Sequence, residues 1–255
     1  MKDISHLQQL TYQQVKDRHY DLAILPWGAT EAHNYHLPYG TDNLETEVIL
    51  KQSVELATNE GASVLILPII PFGVNTGQMD LPYIINMMPS TQAAIINDVA
   101  QSVFNSNIDK LLIFNGHGGN DFKTIIRETG AKYPNKIICS SNWFQVLKHS
   151  NYFTHAGEHA DEMETSLMMY LYPELVLPLE TAGNGQHKKF RVQGLNENWA
   201  WAERKWTQVT NDTGVGNPHY SSAEKGEKFF TDVCQVLSKF IHQLATTPNT
   251  DFYSY

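Results

Sequence analysis

Between Trp27 and Asp42 the chain reads W-G-A-T-E-A-H-N-Y-H-L-P-Y-G-T-D. Glu31, His33, His36 and Asp42 in this stretch are side chains of the types that hold divalent metals through oxygen or imidazole nitrogen. Residues two apart in an extended segment point the same way, so Glu31 and His33 can reach one site together. Asp42 falls at or beside the start of a helical pattern, and a helix N-terminus favours the ionised carboxylate that a metal needs. On this stretch alone, a polar loop with solvated charges accounts for the same residues. His36 reads as a structural residue or a pocket wall rather than a third ligand.

Two further segments carry chemistry. In N-G-H-G-G-N (115–120) the glycines allow positive φ and close backbone approach, so a tight turn can present His117. Neither a P-loop nor a G-x-G-x-x-G follows the first apolar run, so a nucleotide cradle is disfavoured. The segment T-H-A-G-E-H-A-D-E-M-E-T-S (154–166) holds His155, His159 and Glu164 beside an apolar continuation from Leu167 to Leu171 that must pack. An exposed acidic helix start would explain Asp161 and Glu162 without function. Five residues of helix turn through about 500°, so His159 and Glu164 share one site only if the helix begins between them.

These residues must be positioned by the elements around them. Asp21 to Pro26, Ser63 to Pro71, Lys110 to Phe114 and Lys136 to Ser140 read as strands, the middle two as apolar runs buried on both faces. Helical patterns fall between them: Leu44, Val48, Val54 and Ala57, with Gly61 as the stop; Ala94, Ile95, Val99 and Val103, capped by Ser90 or Thr91; and 121–132. Residues 3–18 read as a polar helical lead-in packed by Ile4, Leu7, Leu10 and Val15, and residues 73–89 as an irregular loop. The alternation predicts an α/β fold with a mainly parallel sheet and helices on both faces. In such sheets ligands bind outside the carboxyl ends of the strands, so Glu31, His33 and His117 converge only if their two strands are near neighbours at the switch point.

Composition sets the outer limits. The 255 residues suit one domain spanning 1–255, and a net charge of -9 argues against a nucleic-acid partner. Two cysteines, Cys139 and Cys234, are too few for a disulfide framework and read as buried thiols. The first ten residues lack an apolar signal core, and no stretch reaches the length of a membrane span, so a cytoplasmic protein is expected. Residues 183–213, with Trp199, Trp201 and Trp206, lack clear periodicity. They read as an excursion that covers the site or contacts another subunit, or as an ordinary surface insertion packed by its own tryptophans.

At this point the motifs resemble the creatininase (creatinine amidohydrolase) family. The matching pieces, in the family's order, are residues 25–42, 115–120, the H-A-D-E-M-E-T-S of 159–166, and G-V-G-N-P-H-Y-S-S-A-E-K-G-E at 214–227. The resemblance implies a three-layer creatininase-like sandwich and a binuclear site with two divalent ions, zinc first and manganese or iron as alternatives. Glu31 and His117 would bind one metal, His33 the other, and Asp42 would bridge them. His159 matches the family's catalytic histidine, and His155 with Glu158 is the alternative register. Creatinine-cleaving members carry a glutamate ligand where this chain has Gly119. Glu164 is the candidate to replace it and, with His159, makes up the candidate catalytic pair. Many members also have a histidine near the position of Gln78, so the substrate pocket departs from theirs.

The implied reaction is hydrolysis of a C–N bond in a cyclic amide, formamide or related small amide. The alternatives are a hydrolase acting on a sugar-derived lactone or ring ketone, and a non-catalytic metal-binding scaffold. The resemblance also implies a homo-oligomer, a hexamer in many members.

Overall fold

In the computed structural model, which describes residues 5–155 and 157–254, four strands form one wholly parallel sheet. They are β1 (Leu22–Trp27), β2 (Val64–Ile66), β3 (Lys110–Asn115) and β4 (Ile137–Asn142), in the spatial order β2-β1-β3-β4. Every residue of β1 and β3 is buried, as their continuous apolar sequences require of central strands covered on both faces. The edge strand β4 is half-buried throughout.

Eight α-helices lie among the described residues: α1 (Tyr12–Val15), α2 (Thr41–Asn59), α3 (Pro89–Asn105), α4 (Lys123–Lys132), α5 (Glu162–Leu171), α6 (Gln193–Asn196), α7 (Trp206–Val209) and α8 (Ala223–Thr246). Ile49, Leu50 and Val54 of α2, Leu167 of α5, and Phe229, Val233 and Ile241 of α8 form the core on one sheet face. Ile96, Ala100 and Val103 of α3 with Ile125 of α4 fill the other. The three-layer α/β sandwich is therefore as the alternation predicts. Among the described residues no helix is long and apolar enough to cross a membrane.

The chain leaves β1 for β2 on one side and returns to β3 on the other, so the switch point lies between β1 and β3. These two strands are direct neighbours, with Trp27 opposite Asn115 at their carboxyl ends. The loops that carry Glu31 and His117 therefore start side by side.

Several expected boundaries differ. The apolar run 63–71 pairs as a strand only over Val64–Ile66, because Pro68 and Pro71 have no N–H to continue a ladder. Helix α2 buries Ile49 and Leu50 rather than Leu44 and Val48, and α3 buries Ile96 and Ala100 while Ala94 is exposed. Val54 and Ala57 of α2 and Val103 of α3 are buried as the apolar spacing suggests, so only the first part of each expected face differs. Pro89 opens α3 behind Met88, so neither Ser90 nor Thr91 is its cap. The polar lead-in forms only a 3-10 turn at Leu7–Gln9 and the single turn of α1; Ile4 lies outside the described residues.

Candidate metal centre

Three chain segments converge at the carboxyl ends of β1 and β3. The first is the loop after β1, where Thr30 donates from its hydroxyl to the Pro71 carbonyl (2.8 Å) and Glu31 N–H to the Tyr39 carbonyl (3.1 Å). Asn34 then adopts φ +54, a left-handed conformation that asparagine tolerates, and turns the chain so that Asp42 enters in the first turn of α2.

The second is the turn after β3. Asn115 accepts from His117 N–H and from Asn120, and donates to the His117 carbonyl, so the two asparagines fasten the turn from both ends. Its glycines all keep negative or extended φ, contrary to the sequence expectation. Close approach explains Gly119: a Cβ there would lie 2.4 Å from the Val74 carbonyl oxygen and 2.5 Å from His117 Nε2.

The third is the start of α5. The helix begins at Glu162 and Asp161 caps it, accepting from the N–H groups of Met163 and Glu164, so His159 stands in the preceding loop as its pairing with Glu164 requires. Ala160, at φ +48, aims its N–H at the Glu164 carboxylate. Asp161 and Glu162 are buried, not an exposed acidic start. Glu162 accepts from Thr154 N–H, His155 N–H and Lys225, which ties α5 to α8.

The side chains these segments deliver form one buried cluster. His33 Nε2 lies 3.0 Å from Asp42 Oδ1 and 4.0 Å from Glu164 Oε2. His117 Nδ1 lies 2.9 Å from Asp42 Oδ2 and 3.0 Å from Glu31 Oε1. His159 Nδ1 is 3.6 Å from Glu31 Oε1. Three groups of possible ligands follow: Glu31, Asp42 and His117; His33, Asp42 and Glu164; and Glu31, His33 and His159.

Each imidazole is held by its outer nitrogen on a backbone carbonyl. His33 Nδ1 meets the Glu31 carbonyl (3.2 Å), His117 Nε2 that of Val74 (3.1 Å) and His159 Nε2 that of Ala32 (2.7 Å). A carbonyl only accepts, so those nitrogens carry the protons and the inner nitrogens present lone pairs to the carboxylates. Lone pairs converging on carboxylate oxygens at about 3 Å are stable only with a cation between them, a proton or a metal. The donor set therefore fits two divalent ions that share Asp42.

Electrostatics agrees. Burial would lower the pKa of His33, but Asp42, Glu164 and Glu31 outweigh it and push it up to about 10. Burial acts likewise on His117 and is outweighed by Glu31 and Asp42. The histidines in turn hold the Glu31 and Asp42 carboxyls below their usual range despite burial. His159 goes the other way: burial and the neighbouring His33 bring it down to about 4, which leaves its ring neutral at pH 7.

His36 donates to or accepts from Thr165 Oγ1 (2.9 Å) outside the cluster, and His155 stacks on Tyr220 at 4.1 Å. Three further side chains reach the cluster: Gln78, at a position tied by the sequence to the substrate pocket, Trp206 of the excursion expected to cover the site or contact another subunit, and Glu45, which motif reading misses. Gln78 is buried and donates from Nε2 to Glu31 Oε2. Trp206 sets its ring edgewise to His159 at 4.9 Å. Glu45 is fully buried on α2 with neither carboxylate oxygen hydrogen-bonded among the described residues, and burial, then Glu164, Asp42 and Asp161, raise its pKa well above the usual range. Its one sequence signal is an acidic residue three places after Asp42 on the face that must pack.

The fold and the cluster define a parallel α/β protein built around a buried group of carboxylates and imidazoles that could hold a pair of metal ions. Comparison with known proteins then places it. The sequence profile of the creatininase family, described as creatinine amidohydrolase, matches residues 8–241, and the chain belongs to that family. A solved protein from Bacteroides fragilis NCTC 9343, provisionally named a creatinine amidohydrolase, is 41% identical, covers 100% of both chains and superposes with a TM-score of 0.91.

Among characterised relatives, a 3-dehydro-scyllo-inosose hydrolase of Thermotoga maritima is 26% identical over 201 residues, or 74% of this chain and 63% of the relative. A creatinine amidohydrolase of Pseudomonas putida is 25% identical over 175 residues, 60% of this chain and 65% of the relative. The chain thus spans somewhat less than two thirds of these two relatives.

Proposed function

We propose that the protein is a metal-dependent amidohydrolase that cleaves a C–N bond in a cyclic amide, formamide or related small molecule. The observation that carries this reading is the orientation of three histidines, each fixed by a backbone carbonyl, with His33 and His117 turned toward Asp42 and His159 toward Glu31. Glu31, Asp42 and His117 would hold one ion, and His33, Asp42 and Glu164 the other. Solved creatininases include a Zn–Zn form and a manganese form, and carboxylate and imidazole donors suit either metal here.

Two bound divalent ions supply a water of lowered pKa and polarise the substrate carbonyl. His159 supplies the proton transfers. Its Nε2–H stays on the Ala32 carbonyl, so neutral Nδ1 takes a proton as the C–O bond forms and gives it to the nitrogen as the C–N bond breaks. Glu31, beside His159 Nδ1 at 3.6 Å, stabilises the imidazolium between those steps. Glu164 has no substitute at position 119, because the Val74 carbonyl and His117 fill the space a side chain would need there.

That closed position, with Gln78 on Glu31, favours a substrate other than creatinine. A sugar-derived ring ketone or lactone is the second reading, which the relationship to the Thermotoga hydrolase supports. Turnover of zinc- or manganese-loaded protein on parallel panels of small amides and ring ketones separates the two, with His159→Ala as the control. Activity confined to ring ketones would overturn the amide reading. We infer further a cytoplasmic homo-oligomer, supported by two free thiols and by the family resemblance, with light scattering as the test.

A further inference from the structure

The start of α2 and the start of α5 each carry two acids toward the cluster. Asp42 and Glu45 on α2, and Asp161 and Glu164 at the head of α5, are three positions apart, the spacing that puts side chains on one helix face. All four are buried. The charges that act on Glu45 are, in order, Glu164, Asp42 and Asp161, and no cation is among them.

Three of the four acids have partners. Asp161 accepts from the N–H groups of Met163 and Glu164, Glu164 accepts from Ala160 N–H, and Asp42 lies between His33 and His117. Glu45 is 0% exposed, and neither of its oxygens is hydrogen-bonded among the described residues. A proton on this carboxyl would not mend the deficit, since its O–H would then lack an acceptor. A buried polar group without a partner is costly, so a group from outside the chain must meet Glu45.

The surroundings say what kind of group. A water alone would supply hydrogen bonds and leave the repulsion of three acids in place, whereas a nearby cation relieves that as well. The second ion of the proposed pair is the cation closest at hand: Glu164 and Asp42 are its carboxylates, and neither Glu31 nor His117 of the first ion is among the groups that act on Glu45. The charge count agrees. Two divalent ions bring four positive charges, Glu31, Asp42 and Glu164 offset three, and Glu45 is the side chain that offsets the fourth.

We propose that Glu45 is a further carboxylate of the metal centre, serving the ion held by His33, Asp42 and Glu164 through an intervening water. The inference rests on the metal-centre reading above. Glu45 stands outside the groups whose ligand atoms lie within 4.8 Å of one another, so it acts at one remove, as a positioning and charge-balancing residue rather than a ligand. The water bridges that gap and fills its empty hydrogen bonds. Partners of this outer kind raise metal affinity by about 10–100-fold.

Zinc affinity, measured by competition with a chromophoric chelator, is the test. Glu45→Gln keeps the shape and removes the charge. It should weaken one of two zinc ions by about tenfold or more and leave the other within about twofold of native. Glu45→Asp, which keeps the charge, should recover most of the loss. In His33→Ala, which lacks a ligand of the second ion, adding Glu45→Gln should leave the remaining ion's affinity within about twofold. A loss of affinity that comes with a less stable metal-free protein would mark Glu45 as structural and overturn the inference.

If Glu45→Gln binds both ions within about twofold of native, or weakens both equally, Glu45 does not serve the second ion and the metal centre stands. If native protein takes up no zinc, the metal centre itself falls, and this inference with it.

Discussion

The two ends of the sheet both bury charge, and they treat it differently. At the amino end, Lys110 of β3 is 6% exposed, and its ammonium donates to the carbonyls of Leu244 (2.8 Å), Ala245 (2.8 Å) and Thr247. Three donors meet three acceptors at the C-terminus of α8, and the cation complements the negative end of the helix. At the carboxyl end, Glu31, Asp42 and Glu164 are gathered among imidazoles whose protons point away, and the nearby Glu45 carboxylate has no hydrogen-bond partner among the described residues. A charge buried for structure is saturated by its own chain, whereas a charge buried for chemistry is left short of a counterion.

Four outcomes would break or sharpen that contrast. His159→Ala should lower turnover by about 10²–10⁴-fold while the full metal content remains, since a positioned acid–base group contributes on that scale. Unchanged turnover would remove His159 from the chemistry.

Metal affinity should depend steeply on pH. In metal-free protein His33 titrates near 10 and His117 also well above its ordinary value, so both are protonated at neutral pH and each must release a proton to bind. Burial also raises Glu164 to about 8, so a third proton leaves. Zinc affinity should then rise by at least about a hundredfold per pH unit across pH 6–8, and a flat profile in calorimetric titration would contradict the donor assignment. The sign for metal-free stability is opposite. A raised histidine pKa contributes fully below about 6.5, and that contribution fades as pH climbs toward 10.

Lys110→Met should destabilise the protein by about 2–3 kcal/mol through stranded carbonyls, equally with and without metal, as denaturant unfolding would show. Glu45→Gln should do the reverse, stabilising the metal-free form by about 1–2 kcal/mol at pH 7. A carboxyl with a raised folded pKa loses stability as pH rises above its unfolded value, and the amide abolishes that loss. Bound cations nearby should shrink the gain.

The same contrast explains what the sequence makes legible. Strands β1 and β3 announce themselves as apolar runs because both faces are covered, and the loops beyond them carry Glu31, His33, Asp42 and His117 at spacings that local geometry enforces. The start of α5 between His159 and Glu164 follows from helical rotation once both residues are assigned to one site. What depends on distant chain does not show. The buried faces of α2 and α3 are chosen by the sheet, and Pro68 ends β2 before its apolar run does. Gln78 reaches Glu31 from 47 positions away. Glu45 looks like any acidic residue in an amphipathic helix, and of the three tryptophans in the excursion nothing marks Trp206 as the one that meets His159, until the fold brings them together.

Metal content per chain, measured by elemental analysis on protein purified without chelator, tests the central claim most directly. Native protein should carry about two equivalents of zinc, manganese or iron, and Asp42→Ala should lose most of both because each of its oxygens faces a different histidine. A well-folded native protein that holds no metal and takes none up would contradict the account.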